Sequence, residues 1–185
     1  MKNEELVGSI NSGKFDKLLV KFLLTEPFFS SIVRHMRKIK TTEIPTAGVS
    51  VVDDAITLYW NPDFVAALTT KEFFGLLKHE CYHLIFKHVT SRKQDPHQMW
   101  NIATDLAINS IIPENELPKG GLIPGKKMSN IDPNYPDKKT LEAAKKVSNF
   151  IASLPKRKSS EWYMEKLKQE PEMEEMLSDC FDDGS

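Results

Sequence analysis

The stretch from Thr69 to about Val89 constrains the fold of this chain most, because it predicts one long amphipathic helix. Thr69 and Glu72 have capping-box spacing, so we place the start of the helix there. Apolar residues then recur at helical spacing from Phe73 onward and form a face that needs a core to pack against. The rest of the chain must therefore supply a core that covers the apolar face of this helix.

Two histidines and a glutamate, His79, Glu80 and His83, lie on another face of the same helix. At about 100° per residue, the two histidines are only about 40° apart around the axis. Two neutral imidazoles at this spacing can hold a zinc ion, and the glutamate between them can act as general base on a bound water. Cys81 points to the opposite side and is predicted to be a small core residue. The alternative is a surface helix with two solvated histidines, which explains less because paired histidines on a half-buried helix need partners.

A catalytic zinc usually has three protein ligands, so one more must come from elsewhere in the chain. A second helix is predicted from about Pro96 to Ile112, antiparallel to the first, and it carries a polar stripe at i, i+4 and i+8 formed by Asn101, Asp105 and Asn109. Asp105 is the predicted third ligand, with the two asparagines as groups that orient the site. An aspartate on an exposed face remains the alternative.

The other histidines fit supporting or surface roles. If the first helix continues to His88, that residue lies about 180° from His79, and no glycine intervenes to turn the chain. We expect a core or supporting histidine there, with a role as zinc ligand as the alternative. His97 is expected to be solvated near a helix start, and His35 to lie on a basic solvated face.

The flanking sequence predicts an α+β fold that is mostly helical. Two helices are expected between Lys14 and about Lys38, with Thr25 as N-cap and Pro27 as first residue of the second. Two strands, Val49–Val52 and Ile56–Trp60, are separated by two aspartates and predict a small antiparallel hairpin or sheet before the metal-motif helix.

Beyond the second metal-site helix, residues 113–136 read as an irregular loop rich in Pro, Gly, Lys and Asn. Asp95 and Gln98 are the expected N-cap and capping residue of that second helix, with Pro96 at its first position. Two more helices follow at about Lys138 to Leu154 and Ser160 to Lys168, before a polar acidic end. We expect one domain over 1–185, made of a helical part at about 13–40, a hairpin and metal-site core at about 46–112, the loop, and C-terminal helices at about 138–180.

Composition excludes several classes of function. The chain has 25 basic and 26 acidic residues, which leaves no charge excess for nucleic acid or membrane. Its acidic N-terminus lacks a signal peptide and no run is long enough to span a bilayer, so we expect a cytoplasmic protein. Two cysteines make neither a disulfide framework nor a paired-cysteine zinc site.

Several segments together resemble the putative metallopeptidase domain that precedes von Willebrand factor A-like domains in bacterial and phage proteins. The similarity runs from about Pro27 to Ile112 and continues more weakly into Ser160-Glu161-Trp162-Tyr163. It is carried by Asn61-Pro62-Asp63-Phe64, by Leu77-Lys78-His79-Glu80-Cys81-Tyr82-His83 with His88, and by Trp100-Asn101-Ile102-Ala103-Thr104-Asp105-Leu106-Ala107-Ile108-Asn109.

The resemblance implies a zincin-like fold with Zn2+ on His79, His83 and Asp105 and with Glu80 as general base. It also implies that an extended peptide could add as a strand to the hairpin. A von Willebrand factor A-like domain or another protein would be a partner. The chain differs from the family in stopping near Phe181, about where the second domain would begin.

These observations favour a zinc-dependent hydrolase of peptide bonds acting on a peptide or protein substrate. The alternative is a zinc-stabilised interaction domain that cleaves nothing, although such a domain has no need of Glu80. Tyr59, His97 and Tyr163 are candidate donors to the oxyanion, without support from spacing.

Overall fold

The computed structural model describes the backbone of residues 2–129, 131 and 137–181, and their side chains from residue 13 onward. The chain forms two compact units, one made of residues 1–92 with 114–118 and the other of 93–113 with 119–185. Helices dominate and a three-stranded sheet accompanies them, so the predicted α+β class is confirmed. The single-domain prediction stays a prediction.

In its described residues, the first unit contains four helices, three strands and one 3-10 turn. In chain order they are α1 Lys2–Thr25, α2 Pro27–Val33, β1 Arg37–Lys40, β2 Ala47–Val52, β3 Ala55–Trp60, α3 Pro62–Ala67, α4 Thr70–Ile85 and the 3-10 turn Glu114–Glu116.

The predicted hairpin is confirmed as strands β2 and β3, which pair antiparallel. Asp53 and Asp54 join them, both with positive φ, at 48° and 59°, as tight hairpin turns favour. Strand β1 pairs parallel with β3, giving the order β1-β3-β2. The prediction of helix up to about residue 40 is therefore wrong at Arg37–Lys40, a basic segment whose strand conformation depends on pairing with β3.

The break between α1 and α2 differs in detail from the prediction. Thr25 is the last residue of α1, and its hydroxyl donates to the Lys21 carbonyl instead of capping α2. Glu26 occupies the N-cap position without a side-chain hydrogen bond, and Pro27 opens α2 as expected. Lys14 satisfies main-chain carbonyls at the end of α3, because its ammonium donates to the carbonyls of residues 66 and 68.

The core of the first unit is aromatic and lies between the sheet and helices α1 and α4. Phe15 stacks on Trp60, with ring centroids 4.1 Å apart, and meets the edge of Phe73 at 5.5 Å. Phe22 and Leu77 are also fully buried. Burial of these side chains fixes which face of α4 points inward.

The second unit is helical in the residues described. It contains α5 His97–Asn109, α6 Lys138–Ser153, α7 Ser160–Gln169 and α8 Met173–Cys180. Helices α6 and α7 lie within a residue of their predicted bounds. Helix α8 lies within the predicted C-terminal helical range of about 138–180, although the sequence gives no separate bounds for a helix in this acidic end; its Met173 and Leu177 are buried in the core of this unit.

The start and end of α5 correct the sequence prediction. Pro96 is the N-cap residue rather than the first helical residue, and no side chain caps the helix, so Asp95 is not the N-cap. The amide of Gln98 donates to the Phe181 carbonyl instead of capping. The helix ends at Asn109, three residues before the predicted end.

The predicted loop 113–136 is irregular apart from the 3-10 turn, as far as it is described; residues 130 and 132–136 lie outside the described residues. In the part of the chain that the structure describes, no helix combines the length and apolar character needed to cross a bilayer.

Candidate metal centre

The capped start of helix α4 and its apolar face determine where on the helix surface its histidines lie. The Thr69 hydroxyl accepts from the Glu72 amide, and the Glu72 carboxylate accepts from the Thr69 amide, which confirms the predicted capping box. Phe73 and Cys81 are fully buried in the core below. With its inner face fixed, the helix holds the motif residues on its other sides.

The side chains of the two motif histidines lie close together. His79 and His83 are half-buried, and their Nε2 atoms lie 2.9 Å apart, with ring centroids separated by 4.7 Å. Glu80, between them in sequence, is 5% exposed. The two imidazoles therefore lie within hydrogen-bond distance of each other and close enough to serve one ion, with a buried carboxylate beside them on the helix.

A third ligand atom accompanies this pair. Among the residues that the structure describes, His79, His83 and Asp105 form a group whose ligand atoms all lie within 4.8 Å of one another, and each is half-buried. Two imidazole nitrogens and one carboxylate oxygen are a donor set used by catalytic zinc, with a fourth position left for water. These residues fit the metal that the sequence predicts.

The polar stripe of α5 is only partly buried. Asn101 is exposed, and its amide lies 3.4 Å from the Nε2 of His97, which is exposed as predicted. Asn109 is 5% exposed, and its amide donates to the Leu122 carbonyl at 2.9 Å. The orienting roles of both asparagines stay predictions.

His88 reaches the neighbourhood of His83 because α4 ends earlier than predicted. Lys87 has φ 59°, and the amides of Lys87 and His88 donate to the carbonyls of Leu84 and His83, a Schellman ending built without glycine. Helix α4 ends at Ile85 and does not continue to His88, so the premise that placed His88 about 180° from His79 is wrong. His88 is nevertheless a core residue, as predicted, since it is 3% exposed; its ring centroid lies 5.4 Å from that of His83.

An ion-pair cluster lies beside the turn of α4 that carries His79 and Glu80. The Lys78 ammonium lies 3.0 Å from a Glu26 oxygen and 2.9 Å from a Glu116 oxygen. Burial opposes the charge on Lys78, but hydrogen bonds and attraction from the two carboxylates outweigh it and raise the pKa of Lys78. Gly75 lies one turn earlier, where a Cβ would stand 1.9 Å from the Glu116 carbonyl oxygen. The cluster joins α2, α4 and the 3-10 turn.

Two other residues that the sequence analysis names, Cys81 and Tyr163, are buried. Burial, followed by the nearby charge of Glu80, raises the pKa of Cys81 to about 12, as befits a core thiol. Tyr163 is fully buried and its hydroxyl donates to the Pro155 carbonyl at 2.7 Å, so it is unsuited to bind an oxyanion. Tyr59 is half-buried on β3.

Comparison with protein families identifies a family model that covers most of the chain. The model of a family described as "Putative metallopeptidase domain" matches residues 11–171, which is most of the chain. The chain belongs to this family. The family match spans α4 and α5, and therefore all three residues of the ligand group.

A comparison with curated proteins found a relative that matches part of the chain. An uncharacterized protein from Thermotoga maritima is 28% identical over 109 residues, which cover 55% of this chain and 27% of that protein. The chain thus spans about a quarter of the length of that relative. No solved structure matches the chain.

Proposed function

We propose that this chain is a zinc-dependent hydrolase of peptide bonds, with zinc held by His79, His83 and Asp105. The observation that carries the proposal is the convergence of the three ligand atoms within 4.8 Å. Glu80 beside the histidines supports hydrolysis rather than a structural metal site, because a structural site needs no base. Membership in the metallopeptidase family supports the same reaction.

Glu80 has the role of general base and then general acid. When bound, zinc would supply a Lewis acid that polarises the scissile carbonyl and makes a water more acidic. Glu80 takes a proton from the attacking water as its oxygen bonds to the carbonyl carbon. It then gives that proton to the leaving amine nitrogen as the carbon–nitrogen bond breaks. Burial of Glu80 keeps water from competing for the proton.

Strand β2 is the proposed site for the substrate backbone. In the order β1-β3-β2 it lies at an edge of the described sheet, where an extended peptide can add a further strand through main-chain hydrogen bonds. We propose a peptide or protein as substrate. By the resemblance of the sequence, a von Willebrand factor A-like domain is a proposed partner.

The test compares the parent protein with Glu80→Gln and with His79→Ala. Metal analysis should find about one zinc per chain in the parent and in Glu80→Gln, and much less in His79→Ala. In a cleavage assay with an unbiased peptide library, only the parent should produce new amino termini, because a glutamine amide cannot accept the proton. Equal cleavage by Glu80→Gln would remove Glu80 from its role.

A second outcome would change the function altogether. If the parent and Glu80→Gln both retain zinc, neither cleaves any peptide, and both bind the same protein, the chain is a zinc-stabilised interaction domain. Failure of the parent to bind zinc would refute both functions.

A further inference from the structure

A continuous series of aromatic rings runs along the first unit to the metal-motif histidines. We call Phe28, Phe29, Tyr82 and Phe86 the aromatic wall. Phe28 meets the edge of Phe29 at 5.1 Å between centroids, and Phe29 meets the edge of Tyr82 at 5.5 Å. Tyr82 stacks on Phe86 at 5.4 Å, with an interplanar angle of 16°.

The wall reaches the metal-motif residues through His88. The Phe86 ring centroid lies 5.5 Å from that of His88, which in turn lies 5.4 Å from that of His83. Around the axis of α4, Tyr82 lies about 60° from His79 and the C-cap residue Phe86 lies about 20° from it, both on the side away from Glu80. A group placed against the wall would therefore lie beside the reacting bond.

The wall differs from the aromatic residues of the core in its exposure. Phe28 is 63% exposed, and the other three side chains are half-buried, whereas core rings such as Phe73 are fully buried. Exposed apolar surface that forms a contiguous group commonly marks a binding site. Stabilisation of the fold alone does not require four rings that keep accessible surface.

The wall is also suited to an uncharged ligand group. The Arg92 guanidinium donates to the main-chain carbonyl of Phe86 at 2.9 Å, and the Lys78 ammonium lies 6.0 Å from the centroid of the Phe29 ring. That ammonium is held by the carboxylates of Glu26 and Glu116, so its charge is already compensated. Aromatic faces and edges of this kind pack best against another aromatic ring or a large apolar side chain.

We infer that the aromatic wall is a specificity subsite, which binds an aromatic side chain of a peptide substrate next to the scissile bond. This inference rests on the proposed function, since it places the substrate by its reacting carbonyl at the metal centre. The wall then selects large apolar substrate side chains over small ones.

The test measures binding rather than cleavage. Two short peptide hydroxamates, identical except for a benzyl or a methyl side chain next to the hydroxamate, are titrated into the zinc-loaded protein by calorimetry. The parent should bind the benzyl compound about tenfold or more tightly, since burial of a phenyl ring accounts for at least that ratio. Phe86→Ala and Phe28→Ala should each reduce the ratio at least about threefold.

Control variants separate recognition from folding. Phe86→Leu keeps an apolar side chain of similar size, so it tests the ring even if Phe86→Ala fails to fold. Leu24→Ala removes a side chain that is 80% exposed and lies outside the wall, and it should leave the ratio unchanged. Zinc content and thermal unfolding of each variant confirm that the metal centre and the fold are intact.

The outcomes for the subsite and for the proposed function are distinguishable. Equal affinity of the parent for both hydroxamates, with zinc bound, would overturn the subsite and leave the metal centre in place. A ratio unaffected by Phe86→Leu and by both alanine variants would also overturn it. Selective binding without cleavage of any peptide would refute hydrolysis and support the wall as a peptide-binding site. Absence of zinc, or of any hydroxamate binding, would overturn both.

Discussion

Gly75→Ala tests how tightly the 3-10 turn packs against α4, one turn before His79. A Cβ on residue 75 would stand 1.9 Å from the carbonyl oxygen of Glu116 and 2.6 Å from its carbonyl carbon. These are backbone atoms, which cannot rotate away as a flexible side chain would. The turn or the helix must therefore shift for alanine to fit.

Two effects of opposite sign determine the stability of this variant. Alanine stabilises a helix interior by about 1 kcal/mol relative to glycine. Overpacking against a fixed neighbour costs about 1–3 kcal/mol, and contact with main chain places the cost near the upper end. We expect Gly75→Ala to lower the free energy of unfolding by about 1–2 kcal/mol, which corresponds to a decrease in Tm of about 2–8 °C.

Gly13→Ala is the matched control for this substitution. Gly13 lies inside α1, and a Cβ there would meet nothing within 4 Å. This variant should gain about 1 kcal/mol from helix propensity alone. Urea unfolding of parent, Gly13→Ala and Gly75→Ala measures both changes. A Gly75→Ala protein as stable as the Gly13→Ala protein would refute the close packing of the 3-10 turn on α4.

A double-mutant cycle identifies whether the 3-10 turn or helix α4 moves to make room for the alanine at position 75. Glu116→Gln should cost about 1–3 kcal/mol in the parent, because it removes a half-buried charged partner of Lys78. If Gly75→Ala already displaces the turn, the same change should cost much less in the Gly75→Ala background. Equal cost in both backgrounds would show that the ion pair survives and that α4 absorbs the strain.

Three further predictions concern the metal centre and its helix. In a zinc titration, Asp105→Asn should bind zinc more weakly than the parent, since a neutral amide is a poorer ligand than a carboxylate. If His88→Ala lost the metal instead, His88 would replace Asp105 as the third ligand. Thr69→Ala should lower the free energy of unfolding by about 1 kcal/mol in urea titrations through loss of the capping box, and no change would argue against that cap. Cys81 should resist a thiol reagent at pH 8 until the protein is unfolded, because burial raises its pKa to about 12, while rapid labelling in the native protein would contradict its burial.

The sequence determined the features that depend on local patterns. Thr69 and Glu72 specify the start of α4 because a capping box involves only four consecutive residues. The spacing of His79 and His83 places both rings on one helix face, because it follows from 3.6 residues per turn. The Asp53-Asp54 pair gives the hairpin by the same kind of local preference.

Features that depend on distant residues required the tertiary structure. Strand β1 is a basic segment without an apolar pattern, and it becomes a strand through its parallel pairing with β3. The bounds of helix α8, inside the predicted helical range of about 138–180, follow from burial of Met173 and Leu177, which an acidic composition conceals. His88 lies beside His83 because Lys87 adopts a left-handed conformation that sequence patterns assign to glycine. In each case the free energy that stabilises the observed conformation comes from packing or pairing between parts of the chain, which a local sequence pattern does not encode.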